Sequence, residues 1–245
     1  MNSSQQDFYV GYLPKAPTSL AHYMRRAVIV LFAITAAVSL LLVVAQRPFP
    51  NSKFEFGNYQ TYEGTISARP YPFLSARGTQ YLLIGPGKHG AGPMVRGYDG
   101  TRAELTAARI ERDGRVLLEL KPESIKATAG VGGHSAAAER ISDVRLTGEI
   151  VDSKCYLGVM NPGNGKVHRD CAARCISGGV PPAFIARDAD GETRFMLLTG
   201  VDGEPLRREV LDFVAEPITV QGVLTRVGEL LVLRADPKLF RRGTE

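Results

Sequence analysis

Four side chains able to ligate a metal or to do redox chemistry fall in one short stretch. Cys155, His168, Cys171 and Cys175 follow the spacing C-x12-H-x2-C-x3-C over twenty-one residues and include all three cysteines and one of the four histidines. His168, Cys171 and Cys175 stand at i, i+3 and i+7, so a helix over HRDCAARC places all three on one face. Cys155 can then close the set from outside the helix. Three sulfurs and an imidazole suit a closed tetrahedral Cys3His site for zinc, and a thiolate-rich set suits copper(I). Two of the sulfurs alone suffice for a disulfide, the usual fate of paired thiols in an oxidising compartment. That bond would staple a segment rich in glycine, at Gly163, Gly165, Gly178 and Gly179. It would leave one thiol over, which an exported protein must bury or bind. A redox-active pair is the third alternative, although Cys-x3-Cys lacks the Cys-x2-Cys spacing of thioredoxin-like oxidoreductases.

The elements that must hold these residues belong to a duplicated pattern. EGTISARPYPFL, from Glu63, and GEIVDSKCYLG, from Gly148, align Gly64 with Gly148 and Ile66 with Ile150 at an offset of 84. QYLLIG aligns with RFMLLTG, and DGRVLLEL with VGELLVL, both at an offset of 114. The thirty-residue difference locates an insertion between the first and second strands of the second copy, where Cys155 through Pro182 lie. Each copy reads as a strand pair, a connection and a closing hairpin turning at Asp113-Gly114 or Val227-Gly228. LRREVLDFVAE, from Leu206, has helical periodicity. The expected fold is mainly β: an N-terminal transmembrane helix followed by two tandem small OB-like β barrels, the second with a Cys/His-containing helical insertion. The units are expected at residues 58–127 and 142–241, with the insertion at 155–182. TAGVGGHSAAA makes residues 128–141 a flexible linker.

The helix is expected at Ala27 to Ala45, nineteen residues without a charge. At 1.5 Å per residue the run reaches about 28 Å, the thickness of a bilayer's hydrocarbon core. Arg25 and Arg26 directly precede it, with Lys15 further back, while Arg47 and Lys53 follow more sparsely. That asymmetry keeps residues 1–26 in the cytoplasm and sends the remainder outside. Val43 and Ala45 also fit the small-residue rule for signal-peptide cleavage before Gln46, but the apolar run exceeds a signal peptide's usual core, which favours an uncleaved anchor. The location implied is the bacterial inner (cytoplasmic) membrane, single-pass, with the C-terminal domains in the periplasm or outside. Phe8, Tyr9 and Tyr12 ahead of the anchor read as an interfacial aromatic cluster, with a short docking motif for a cytoplasmic partner as the alternative.

Other features exclude more than they assign. The 245 residues, 44% apolar, can bury one sizeable core or two small ones. The net charge of +5 is spread among nearly as many acids as bases and reads as a solvated surface. Oligonucleotide-binding OB grooves stack bases on exposed aromatics, and this chain has no tryptophan, so no nucleic-acid partner is expected. The expected partners are the membrane and other membrane or exported proteins. GPGKHGAGP, from Gly85, lacks the Gly-Lys-Ser/Thr ending of a phosphate loop and reads as a hairpin tip carrying Lys88 and His89. His89, His134 and His22 have no evident partner in sequence. No Gly-x-Ser-x-Gly, HExxH or carboxylate dyad marks a hydrolase, and no residue is assigned a catalytic role.

DSKCYLG followed by HRDCAARCISGGVPP resembles a module of small exported bacterial proteins, in which Asp-x-x-Cys-Tyr precedes His-x-x-Cys-Ala-x-x-Cys and a Gly/Pro turn in an OB-like β domain. The resemblance covers the second unit; it implies a bacterial, exported protein and transfers no chemistry. The topology is also similar to that of the membrane-anchored OB-fold haem chaperone of cytochrome c maturation. LFRRGTE lacks that family's C-terminal His-x-x-x-Tyr segment, so haem carriage does not follow. The function expected is that of a membrane-anchored extracytoplasmic accessory or binding protein supporting assembly or stability of a membrane or exported redox complex. The alternative is a thiol-redox or metal-transfer protein using the Cys155/His168/Cys171/Cys175 cluster. On this topology, a reporter active only outside the cytoplasm works when fused after Glu245. Activity there of a cytoplasm-only reporter instead would reverse the orientation.

Overall fold

The computed structural model of the chain describes residues 17–46, 52–130, 132–133, 137–187 and 191–243. Phe8, Tyr9, Tyr12, Lys15, Arg47 and His134 lie outside them. The apolar run forms helix α1, Thr18–Ala45, 28 residues of which none is buried. A helix apolar on every side has no polar face to turn to water, and this one is long and apolar enough to cross a membrane. It begins a little over two turns before the run, taking in Arg25 and Arg26, and His22 Nδ1 lies 2.8 Å from the Thr18 carbonyl.

The chain from Pro50 onward is a separate compact unit. Its first half holds β1 (Ser52–Ser67), β2 (Phe73–Ala76), β3 (Thr79–Ile84), β4 (Arg102–Arg112), β5 (Arg115–Leu120) and the short β6 (Lys126–Ala127). The second half holds β7 (Glu139–Asp152), helix α2 (Arg169–Ser177), β8 (Pro182–Arg187), β9 (Thr193–Thr199), β10 (Ile218–Val227), β11 (Leu230–Ala235) and the short β12 (Arg241–Arg242). The first sheet runs β1-β2-β3-β5-β4 and closes through β1–β4; the second runs β7-β8-β9-β11-β10 and closes through β7–β10. In each, one pair is parallel, β3 with β5 and β9 with β11. Two five-stranded closed barrels of one OB-like topology result.

The duplication holds strand for strand, with one correction of register. Ile66 pairs with Leu74 and Ile150 with Phe184, so the first-strand offset is 84 and the second-strand offset 110. Leu83 pairs with Leu118 and Leu198 with Leu233, so from the third strand onward the offset is 115, not 114. Side chains alternate faces along a strand, so a slip of one residue would turn each interior leucine outward. Most of the added length lies between β7 and β8; the last five residues lengthen the β8–β9 hairpin. Gly64 and Gly148 are equivalent: a Cβ at either would overlap a carbonyl of the neighbouring strand, that of Ser75 or Ile185. LRREVLDFVAE forms a 3-10 turn over Arg208–Phe213 where a helix was expected, since Val210 and Val214 reach the core within that short span. GPGKHGAGP is not a hairpin tip. It opens the connection from β3 to β4, strands that do not pair with each other.

Three apolar clusters result. Ile66, Leu74, Leu83, Leu105 and Leu118 fill the first barrel, and Ile150, Phe184, Met196, Leu198 and Leu233 fill the second. The third lies between the barrels, where Phe73, Leu82 and Leu117 of the first meet Ala183, Ile185, Phe195, Leu197 and Val232 of the second. The same three strands of each barrel, β2-β3-β5 and β8-β9-β11, are therefore buried on both faces. This shared core makes residues 50–245 unfold in one cooperative transition, and Phe73→Ala lowers its stability by about 3–5 kcal/mol. Denaturant unfolding followed by separate probes in each barrel checks this; two separable transitions would show that the barrels are energetically independent.

Candidate metal centre

The residues leaving β7 turn into the insertion through a π-type turn at Cys155–Val159, and a 3-10 turn at Lys166–His168 leads into α2. The expected helix over HRDCAARC is thus present from Arg169, with His168 as its N-cap residue. The structure places the four expected site residues in two overlapping groups rather than one tetrahedral set. A ring nitrogen of His168 and the sulfurs of Cys155 and Cys171 lie within 4.8 Å of one another, as do a carboxylate oxygen of Asp152 and the sulfurs of Cys155 and Cys175. Cys155 is common to both groups. Its sulfur stands 3.9 Å from that of Cys171, and all three cysteines are free thiols. Two thiolates on a tetrahedral zinc with bonds of about 2.3 Å stand about 3.8 Å apart, whereas disulfide sulfurs are bonded at about 2.05 Å.

Asp152 orders the centre from behind. It is fully buried; its Oδ1 accepts a hydrogen bond from the Cys155 backbone N–H at 2.8 Å, and its Oδ2 lies 3.0 Å from His168 Nε2. A carboxylate on a ring nitrogen is the arrangement that fixes an imidazole beside a metal. Interaction with the Cys175 thiol, burial and the neighbouring Asp152 carboxylate push the Cys155 thiol well above the ordinary thiol range. The Cys175 thiol is lowered by its interaction with Cys155 and by nearby Lys88, against the effect of its own burial. A metal ion supplies the positive charge that releases thiol protons held in this way.

The first barrel supplies the rest of the enclosure. Lys154, next to Cys155, is 3% exposed, pairs with the buried Glu119 of β5, and donates to the carbonyls of Gly85 at 3.1 Å and Gly87 at 2.6 Å. The loop so held presents Lys88, whose Nζ lies 2.8 Å from Cys171 Sγ and 4.0 Å from Cys175 Sγ. Backbone meets backbone at the loop's far side: Gly90 N–H donates to the Gly178 carbonyl at 3.0 Å. A Cβ at Gly90 would overlap the Gly179 carbonyl, and one at Gly178 would overlap that of Lys88. Gly158 lies as tightly against β4, where a Cβ would meet Ile110 Cγ2 at 2.9 Å. Arg112 of the same strand donates to the Tyr156 carbonyl at 2.8 Å and covers its ring at 4.1 Å.

Lys154 and Glu119 have no signal of their own in the sequence. Asp152 enters there only as the first residue of the Asp-x-x-Cys-Tyr motif and Lys88 only as part of the glycine-rich loop, neither with a role at the cluster, because Lys88 and Glu119 come from the other barrel. His89 exposes its side chain on the same loop and His22 lies on α1; neither joins the cluster.

Fold and site together define an OB-like tandem-barrel protein with an apolar N-terminal helix and a buried thiol–imidazole–carboxylate cluster at the barrel junction. No known protein family, curated protein or solved structure matches the chain. Because Lys154 and Glu119 are buried together, Lys154→Met alone strands a charge and costs about 3–5 kcal/mol, while Lys154→Met with Glu119→Leu recovers most of the loss. Denaturant unfolding of both variants in detergent micelles checks this, and equal losses in the two would show that the pairing is not what stabilises the junction.

Proposed function

We propose that the protein is a membrane-anchored metal-binding accessory protein acting outside the cytoplasm, on the periplasmic side of a bacterial inner membrane. The observation that carries this reading is a pair of overlapping ligand sets, Cys155/His168/Cys171 and Asp152/Cys155/Cys175, that share the Cys155 sulfur, with Asp152 against the imidazole. The metal is zinc or copper(I), the ions suited to three thiolates and an imidazole. The anchor helix and the two binding-type barrels support partners among membrane or exported proteins, such as a redox or metalloenzyme complex that the protein helps assemble or stabilise. A thiol-redox role is the second reading, favoured by the ammonium of Lys88 beside Cys171, the kind of neighbour that activates a thiol.

Elemental analysis and free-thiol counting on protein purified from the native compartment separate these readings. The metal reading requires close to one zinc or copper per chain, lost in His168→Ala and in Cys155→Ser. One free thiol and no metal in the wild type would make the cluster a structural disulfide, and reversible loss of two thiols under oxidant without metal would favour redox chemistry.

A further inference from the structure

The four ligand side chains are not equally enclosed. Cys155, His168 and Cys175 are 3%, 3% and 1% exposed, whereas Cys171 is only half-buried. Among these described side chains, Cys171 is therefore the one an incoming group reaches most directly. It is also the one to which the other barrel delivers Lys88, an exposed lysine hydrogen-bonded to Cys171 Sγ. The loop bearing it is held at both ends, by Lys154 on its carbonyls and by the Gly90–Gly178 backbone contact. Structural metal sites are closed on all sides, while sites that do chemistry on the ion keep a position open.

We propose that Cys171 is the exchange ligand of this centre, through which the metal passes to the thiolate of a partner protein outside the membrane. The inference rests on the metal-binding reading above. In the step, the partner's thiol gives its proton to water and its sulfur bonds to the metal as the bond from the metal to Cys171 Sγ breaks. The displaced Cys171 thiolate is received by the Lys88 ammonium. One thiolate replaces another, so the charge on the ion's ligands is unchanged and no electrons move. Cys155 and His168, the ligands grouped with Cys171, hold the ion meanwhile, and Asp152 keeps the imidazole in place.

The test uses the full chain in detergent micelles, loaded with cobalt(II) in place of zinc so that sulfur-to-metal charge-transfer absorption reports the ligands, and mixed with dithiothreitol as acceptor. The release rate is expected to rise in proportion to dithiothreitol. Lys88→Gln should release its bound cobalt about tenfold more slowly, measured per metal bound, the effect of removing a hydrogen bond to a charged group. In the metal-free chain, iodoacetamide should modify Cys171 before Cys155 and Cys175, as mapped by peptide mass. Release independent of dithiothreitol, an unchanged rate in Lys88→Gln, or earlier modification of either buried cysteine would overturn the proposal while leaving metal binding intact. A wild-type chain that takes up none of cobalt, zinc and copper(I) would overturn both readings.

Discussion

The apolar face shared by the two barrels is the constraint on which the site depends. Each barrel has its own interior, yet β2-β3-β5 and β8-β9-β11 carry a second apolar face that must also leave water. Burying those faces against each other fixes which loops of one barrel reach which connections of the other. Neither barrel alone encloses the cluster. The insertion supplies the ligands, while the first barrel supplies Glu119 beneath Lys154, Ile110 against Gly158 and Lys88 over Cys171.

Equivalent parts of the barrels make equivalent contacts. After the third strand of each, a glycine N–H donates to a carbonyl four residues on, Gly85 to His89 and Gly200 to Glu204. In both cases the loop so formed touches the connection between first and second strands of the opposite barrel. In one direction the contact is modest: Arg69 pairs with Glu204 at the surface, and the buried Tyr71 hydroxyl donates to the Leu198 carbonyl at 2.6 Å while accepting from Leu206 N–H. In the other direction the connection has become the insertion, and the contact is Lys88 with its thiols.

Local patterns made the apolar helix, the duplicated strands and the cluster legible in the sequence, because each rests on residues close together in the chain. Alternation and tight turns identified the strands, and i, i+3, i+7 spacing identified the face of α2. What escaped depends on contacts between distant segments. The offset of 114 came from matching Gly114 with Gly228, but the hairpins turn one residue out of step with that match, and only pairing partners reveal it. GPGKHGAGP looked like a tip because glycine marks any turn, whereas Gly90 is required by the approach of Gly179. A signal for the shared face was present: AFIA in β8 and FMLL in β9 are continuous apolar runs, the pattern of strands covered on both sides.

Two equivalent contacts across one interface do not carry equal shares of it. The Arg69–Tyr71 side is a short link, whereas the opposite connection, as the insertion, contributes Cys155, Tyr156 and Leu157 to the shared core and Lys154 to its buried pair. A loop that has grown at the junction can thus take on new chemistry while its own packing keeps the barrels together. The asymmetry of the molecule is a plain link on one side and a thiol centre on the other: one copy keeps the architecture while its twin diverges.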